Sequence, residues 1–148
     1  MTNLIQMAAV AVALVGGTAF AGELTCPAGS KLLSLQNDVD LMVSSCVKNG
    51  VGQGPMRMYF KSNGQTHAEG PVEKGLRTGH WVFFDKAGVK TAEIDFKNGD
   101  YHGLRVEFHP NGQKAFEEVW ANGLLQVPAK RFDPAGKLVT QAPAAVTH

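Results

Sequence analysis

Apolar and polar residues alternate along most of this chain, and the alternation is repeated at one fixed spacing. Phe60, Phe84, Phe108 and Phe132 recur at a constant interval, and Gly64, Gly88, Gly112 and Gly136 keep the same one. Gly75, Gly99 and Gly123 form another column, and Glu69, Glu93 and Glu117 another, which Gln141 ends. A fixed period of roughly 20 to 50 residues marks a repeat architecture, in which each unit buries its apolar face only by stacking on its neighbours. Alternation with a period of two is the strand pattern. Each copy therefore reads as two strands, which in the best-formed copy are expected at residues 80–85 and 89–97. In the first strand of each copy, one alternating set holds Met58 and Phe60, Val82 and Phe84, Val106 and Phe108, Lys130 and Phe132. This set is assigned to the core, together with Ala92, Ile94, Phe96, Phe116 and Trp120 of the second strands. The opposite set, with Arg57, Tyr59, Trp81, Phe83, Arg105, Glu107, Ala129 and Arg131, is assigned to solvent beside Thr91, Glu93, Asp95 and Glu117.

The connections are of two kinds. KSNG, DKAG, HPNG and DPAG, ending at Gly64, Gly88, Gly112 and Gly136, accept proline second and require glycine fourth. That is the chemistry of a type I turn closed by a left-handed bulge residue. The second connection reads GxxxG at residues 75–79 and 99–103. Ahead of the array, residues 31–36 and 39–47 are rich in Leu and Val and are separated by Asn37-Asp38, which predicts a hairpin serving as an atypical N-terminal cap. Residues 49–55, NGVGQGP, are expected to form a loop into the first regular copy. The expected fold is all-β: an elongated antiparallel β-meander of tandem 24-residue hairpins with a disulfide-stapled cap at residues 22–53, an array at 54–140 and a disordered tail at 141–148.

Composition sets the address. Residues 1–21 carry no charged side chain, and an apolar run at 7–15 precedes Gly16-Gly17 and Ala19-Phe20-Ala21. This is the layout of a signal peptide cleaved near Ala21, and it predicts an exported mature chain, periplasmic or extracellular. The alternative, a membrane anchor, needs a run of about 20 apolar residues. Two cysteines, Cys26 and Cys46, are expected to pair in an oxidising compartment. Closing the segment between them contributes about 3 kcal/mol on the loop-entropy model. A formal charge of +1 on 148 residues, with no basic stripe, argues against a nucleic-acid partner and against an anionic lipid surface.

The stretches GHWVFFDKAGVKTAEIDFKNG at 79–99 and GLRVEFHPNGQKAFEEVWANG at 103–123 resemble the bacterial MORN-repeat variant, a group often labelled antitoxin-like. The resemblance spans residues 54–137. It implies β-hairpins in series, a scaffold for protein or lipid contact, and no catalytic residues. Pro55 and Val127 depart from it at the place filled by Gly79 and Gly103.

No catalytic, metal or cofactor site is expected. His80 and His102 flank neighbouring connections without a carboxylate or cysteine at ligand spacing, and the Glu69, Glu93, Glu117 column reads as a solvated ladder. The candidate interaction face is the one where aromatics and arginines stand on a strand face assigned to solvent: Arg57, Tyr59, Trp81, Phe83 and Arg105. Those aromatics could equally form a second small core. The functional expectation is an exported non-enzymatic scaffold with a protein partner at the cell envelope. The alternatives are an immunity-type protein blocking a toxin outside the cytosol, and a glycan-binding accessory or enzyme.

Overall fold

The computed structural model describes residues 24–37 and 40–141. The expected signal segment, part of the first turn and most of the expected tail lie outside the described residues. What is described is one antiparallel sheet of 12 strands. These are β1 (Lys31–Asn37), β2 (Leu41–Lys48), β3 (Val51–Phe60), β4 (Thr66–Glu73), β5 (Leu76–Arg77) and β6 (Gly79–Phe84), followed by β7 (Lys90–Lys97), β8 (Asp100–Phe108), β9 (Lys114–Ala121), β10 (Leu124–Leu125), β11 (Lys130–Phe132) and β12 (Leu138–Gln141). Neighbours in sequence are neighbours in the sheet, with β5 and β10 as short returns beside β4 and β9. The all-β meander of hairpin repeats is thus the observed fold. The disulfide joins Cys26 to Cys46 on β2.

Two turn types alternate along it. At one margin Asn49-Gly50, Lys74-Gly75, Asn98-Gly99 and Asn122-Gly123 all have positive φ at both residues. Each is a two-residue connection, closed for instance by Lys97 opposite Asp100, and has the signature of a type I′ turn. At the other margin Gly64, Gly88, Gly112 and Gly136 take positive φ, and in three copies the loop closes through Asp85 to Val89, His109 to Gln113 and Asp133 to Lys137. In the first copy the closing pair is Phe60 and Gln65, so that loop is one residue longer.

Two departures from the sequence reading concern β3, and the extra residue accounts for the second. Residues 49–55 are not a loop: Asn49-Gly50 makes the same tight turn as the later copies, and the rest belongs to β3. The place of Gly79 and Gly103, both at positive φ, is filled in the first copy by Gly54 at φ 113 rather than by Pro55. The step from Gly54 to Gly79, which spans the longer loop, exceeds by one residue the step from Thr66 to Lys90, which does not. A single sequence interval therefore misaligns β3 by one position.

A one-residue shift in a strand exchanges its faces, and the observed register corrects the expected core. Trp81 stands opposite Ile94, and Phe83 opposite Ala92 and Ala68. Residues directly opposite share a face, so Trp81 and Phe83, assigned above to solvent, lie with Ala92, Ile94 and Phe96. Val82 instead stands opposite Glu69 and Glu93 on the other face. The central core is Ala68, Val72, Trp81, Ile94 and Phe96, with Met56, Met58, Phe83 and Tyr101 packed against it.

Trp81 is 0% exposed, and the reason lies across the strand. Its indole lies against Gly70, where an added Cβ would come within 2.5 Å of the ring. Its Nε1 donates to the Pro71 carbonyl at 3.0 Å, so the buried N–H is satisfied. Phe96 meets the ring edge-on at 6.2 Å. The guanidinium of Arg77 covers it, 4.7 Å from the Trp81 centroid and 5.5 Å from that of Phe96. Burial pulls the Arg77 pKa below its ordinary value, yet the group stays charged, a cation lying on aromatic faces.

Gly70→Ala should therefore destabilise the chain by about 2–3 kcal/mol, through overpacking against a ring that cannot move aside. In urea unfolding, the double variant with Trp81→Leu should lose less than the sum of the two single losses. Strict additivity would mean that the two residues are not in contact.

Candidate interaction site

The core face changes character along the array. Across β6 and β7, one row pairs Trp81 with Ile94, and one repeat later the same row pairs Arg105 with Glu118. The next row runs from Phe83 and Ala92 to Glu107, Phe116 and Arg131. Positions that hold a tryptophan and an isoleucine in one copy thus hold an ion pair in the next.

Arg105 is the hub of that pair. Its Nη1 donates to Glu118 Oε2 at 2.6 Å and its Nη2 to Glu107. Trp120 Nε1 donates to the same Glu118 oxygen at 3.0 Å, so this buried carboxylate is held from two sides. Among the described residues, Arg105 Nε is buried without a hydrogen-bond partner. Burial works against the charge on Arg105, but the hydrogen bond to Glu118 and the attraction of Glu107 and Glu118 outweigh it, and its pKa lies above the ordinary arginine value.

Beyond Arg105 the face opens into a hollow of about 530 Å³, lined by Arg105, Glu107, His109, Phe116, Arg131 and Phe132 among others. Phe116 forms its floor between two guanidinium groups, Arg105 at 5.5 Å and Arg131 at 5.1 Å from the ring centroid. His109 Nε2 donates to the Phe132 carbonyl at 2.9 Å, which fixes the imidazole at the rim. Arg131 is exposed. The first, complete part of the array thus has a filled core on this face, whereas the last copies leave a recess of aromatic and arginine side chains.

The five residues expected to form one interaction face divide between two. Trp81 and Phe83 are core, and Arg105 shares their face as the hub of the ion network. Arg57 and Tyr59 lie on the opposite face, with Arg57 Nε 2.9 Å from Glu69 Oε2 and the Tyr59 hydroxyl 3.3 Å from Ser44 Oγ. Phe116, Arg131 and Phe132 were missed as site residues. The signal for them was the Arg105 column itself, since charge in a row that is apolar one copy earlier marks where the core stops.

The glutamate column lies on the face opposite the Trp81 cluster, in one row with Val82 and with Val106, which is buried there as expected. Each member holds a cation: Glu69 with Arg57, Glu93 with Lys90, and Glu117 with Lys114 and Lys130. Hydrogen bonds from Lys114 and Lys130 bring the Glu117 carboxyl below the usual glutamate range. His80 pairs with Asp95 at 2.8 Å, and His102 Nδ1 accepts from the Asn122 N–H at 3.2 Å, so the two imidazoles serve separate connections. Among the described residues no group of three or more His, Cys, Asp or Glu is placed to hold a metal ion.

A family model described as MORN repeat variant matches residues 101–122, from the start of β8 to the turn after β9. No curated protein matches the chain. The matched stretch is one hairpin, β8 and β9 with the loop that ends on Gly112 between them, and it contains Arg105, Glu107, Phe116 and Glu118. The same hairpin recurs on either side of it in the structure, so the fold is a MORN-like repeat scaffold.

Glu118 is buried and Arg105 half-buried with Glu107 as a second partner, so Glu118→Ala should cost about 1–3 kcal/mol through the donors left without their acceptor. Arg105→Met with Glu118→Leu should come close to wild-type stability, because an apolar pair of similar volume replaces both charges. Chemical denaturation of the two variants checks this. Equal losses would show that the pair is not desolvated.

Proposed function

We propose that this chain is an exported, non-enzymatic repeat scaffold that binds a protein partner at the cell envelope through the hollow around Phe116. The observation that carries the reading is the open row Glu107, Phe116, Arg131, in which an aromatic floor lies between arginines at the end of an otherwise filled core. Aromatic and arginine side chains dominate the centres of protein interfaces because both offer large, rigid contact area, and arginine adds hydrogen bonds. The pairing of the glutamate column with cations supports a structural rather than a proton-transferring role for those carboxylates.

Export is supported by the uncharged leading segment and by the Cys26–Cys46 bond, since disulfides persist in oxidising compartments. Blocking a toxin outside the cytosol is one form that partner binding would take, and an adjacent toxin gene would favour it.

The experiment is affinity capture from an envelope extract with the mature chain as bait, beside a Phe116→Ala, Arg131→Ala variant and a Tyr59→Ala control on the other face. One protein recovered by wild type and by Tyr59→Ala, and lost from the double variant, is the expected result. A protein lost only from the control would move the site to the opposite face. Recovery of the chain from the cytosol with both thiols reduced would remove export from the account.

A further inference from the structure

β1 closes one end of the sheet. It pairs along one side with β2, from Lys31 opposite Val47 to Asn37 opposite Leu41, and among the described residues its other side is an edge. Such an edge presents a row of unpaired N–H and C=O groups, which proteins usually guard with proline, a bulge or inward-pointing charge. β1, KLLSLQN, has none of these: its register with β2 is unbroken, and its single charge is Lys31 at the end. Leu32, Leu33 and Leu35 are 42, 44 and 55% exposed. The opposite end of the sheet is guarded better, because β12 has four residues and its pairing with β11 is interrupted by a bulge.

We propose that β1 is the interface of a symmetric dimer, in which the β1 strands of two copies pair antiparallel about a two-fold axis through Ser34. The strand is self-complementary in that register. Lys31 faces Asn37 of the second copy, Leu32 faces Gln36, Leu33 faces Leu35, and Ser34 faces itself. No two like charges meet, and all seven residues are paired. Leu33 and Leu35 of both copies then form one contiguous apolar group beside Val43, which is already opposite Leu35 within each chain. A shift of two residues shortens the pairing and in one direction sets Lys31 against Leu35, and a shift of one brings opposite faces together. Pairing β1 with β12 of the next copy would use only the short strand and would propagate without closing, whereas the two-fold arrangement closes. The two sheets become one continuous sheet whose partner-binding hollows lie at its far ends.

The test is sedimentation of the purified chain combined with cysteine cross-linking. Wild type should sediment at twice the mass of one chain at micromolar concentration. Leu35→Lys should sediment as a single chain with an unchanged circular dichroism spectrum, since that side chain is exposed. Under mild oxidation Ser34→Cys should give a covalent dimer. Leu32→Cys should not, because the two copies of position 32 would be about 13 Å apart at the usual rise per residue, beyond the reach of a disulfide. A monomeric wild type, open-ended assemblies, or equal cross-linking at positions 32 and 34 would overturn the proposal.

Discussion

The register between neighbouring strands is the constraint on which the rest of this structure depends. Two turns set it in alternation, a two-residue turn with both residues at positive φ and a longer loop ending on a glycine at positive φ. Each turn fixes which residues stand opposite, and with side chains alternating across a strand this decides the face of every residue in the following copy. The first copy shows how strong the dependence is. Its loop closes between Phe60 and Gln65, one residue wider than the Asp85 to Val89 closure of the next. As a result Met58 stands opposite Ala68, where the next copy places Phe83 opposite Ala92.

Given that register, three neighbouring strands, β4, β6 and β7, carry the main core. Gly70 leaves the space that Trp81 fills, while Arg77 and Phe96 close over the indole. In the following copy the glycine's place is taken by Ile94, which stands opposite Arg105 as Gly70 stands beside Trp81. There the row continues with an arginine bound to Glu118. The change from aromatic core to ion network thus coincides with an isoleucine standing where the earlier copy has glycine. It also leaves the recess around Phe116, which ties the position of the proposed binding surface to the point where the core ends.

Much of this was legible in the sequence. The repeat, the two turn chemistries, the all-β meander and the pairing of Cys26 with Cys46 follow from glycine columns, alternation and cysteine count. The faces of the strands were not legible, because alternation says that two sets exist without saying which is inward. Val82 and Phe84 are as apolar as Trp81 and Phe83, and only the cross-strand partners Glu93 and Ile94 separate them. Reading each first strand against its second strand through the turn, rather than against its counterpart in the next copy, would have placed Trp81 correctly. The recess was visible only as an anomaly, a charged Arg105 and Glu107 in columns that are aromatic one copy earlier.

The central claim is that Trp81 belongs to the core and not to a displayed face. The most direct measurement is acrylamide quenching and emission wavelength of the chain carrying Trp120→Phe, which leaves Trp81 as its sole tryptophan. A blue-shifted emission that resists quenching until the chain unfolds is the predicted result. Red-shifted emission with ready quenching in the folded state would contradict the register and, with it, the assignment of the core and of the recess beyond it.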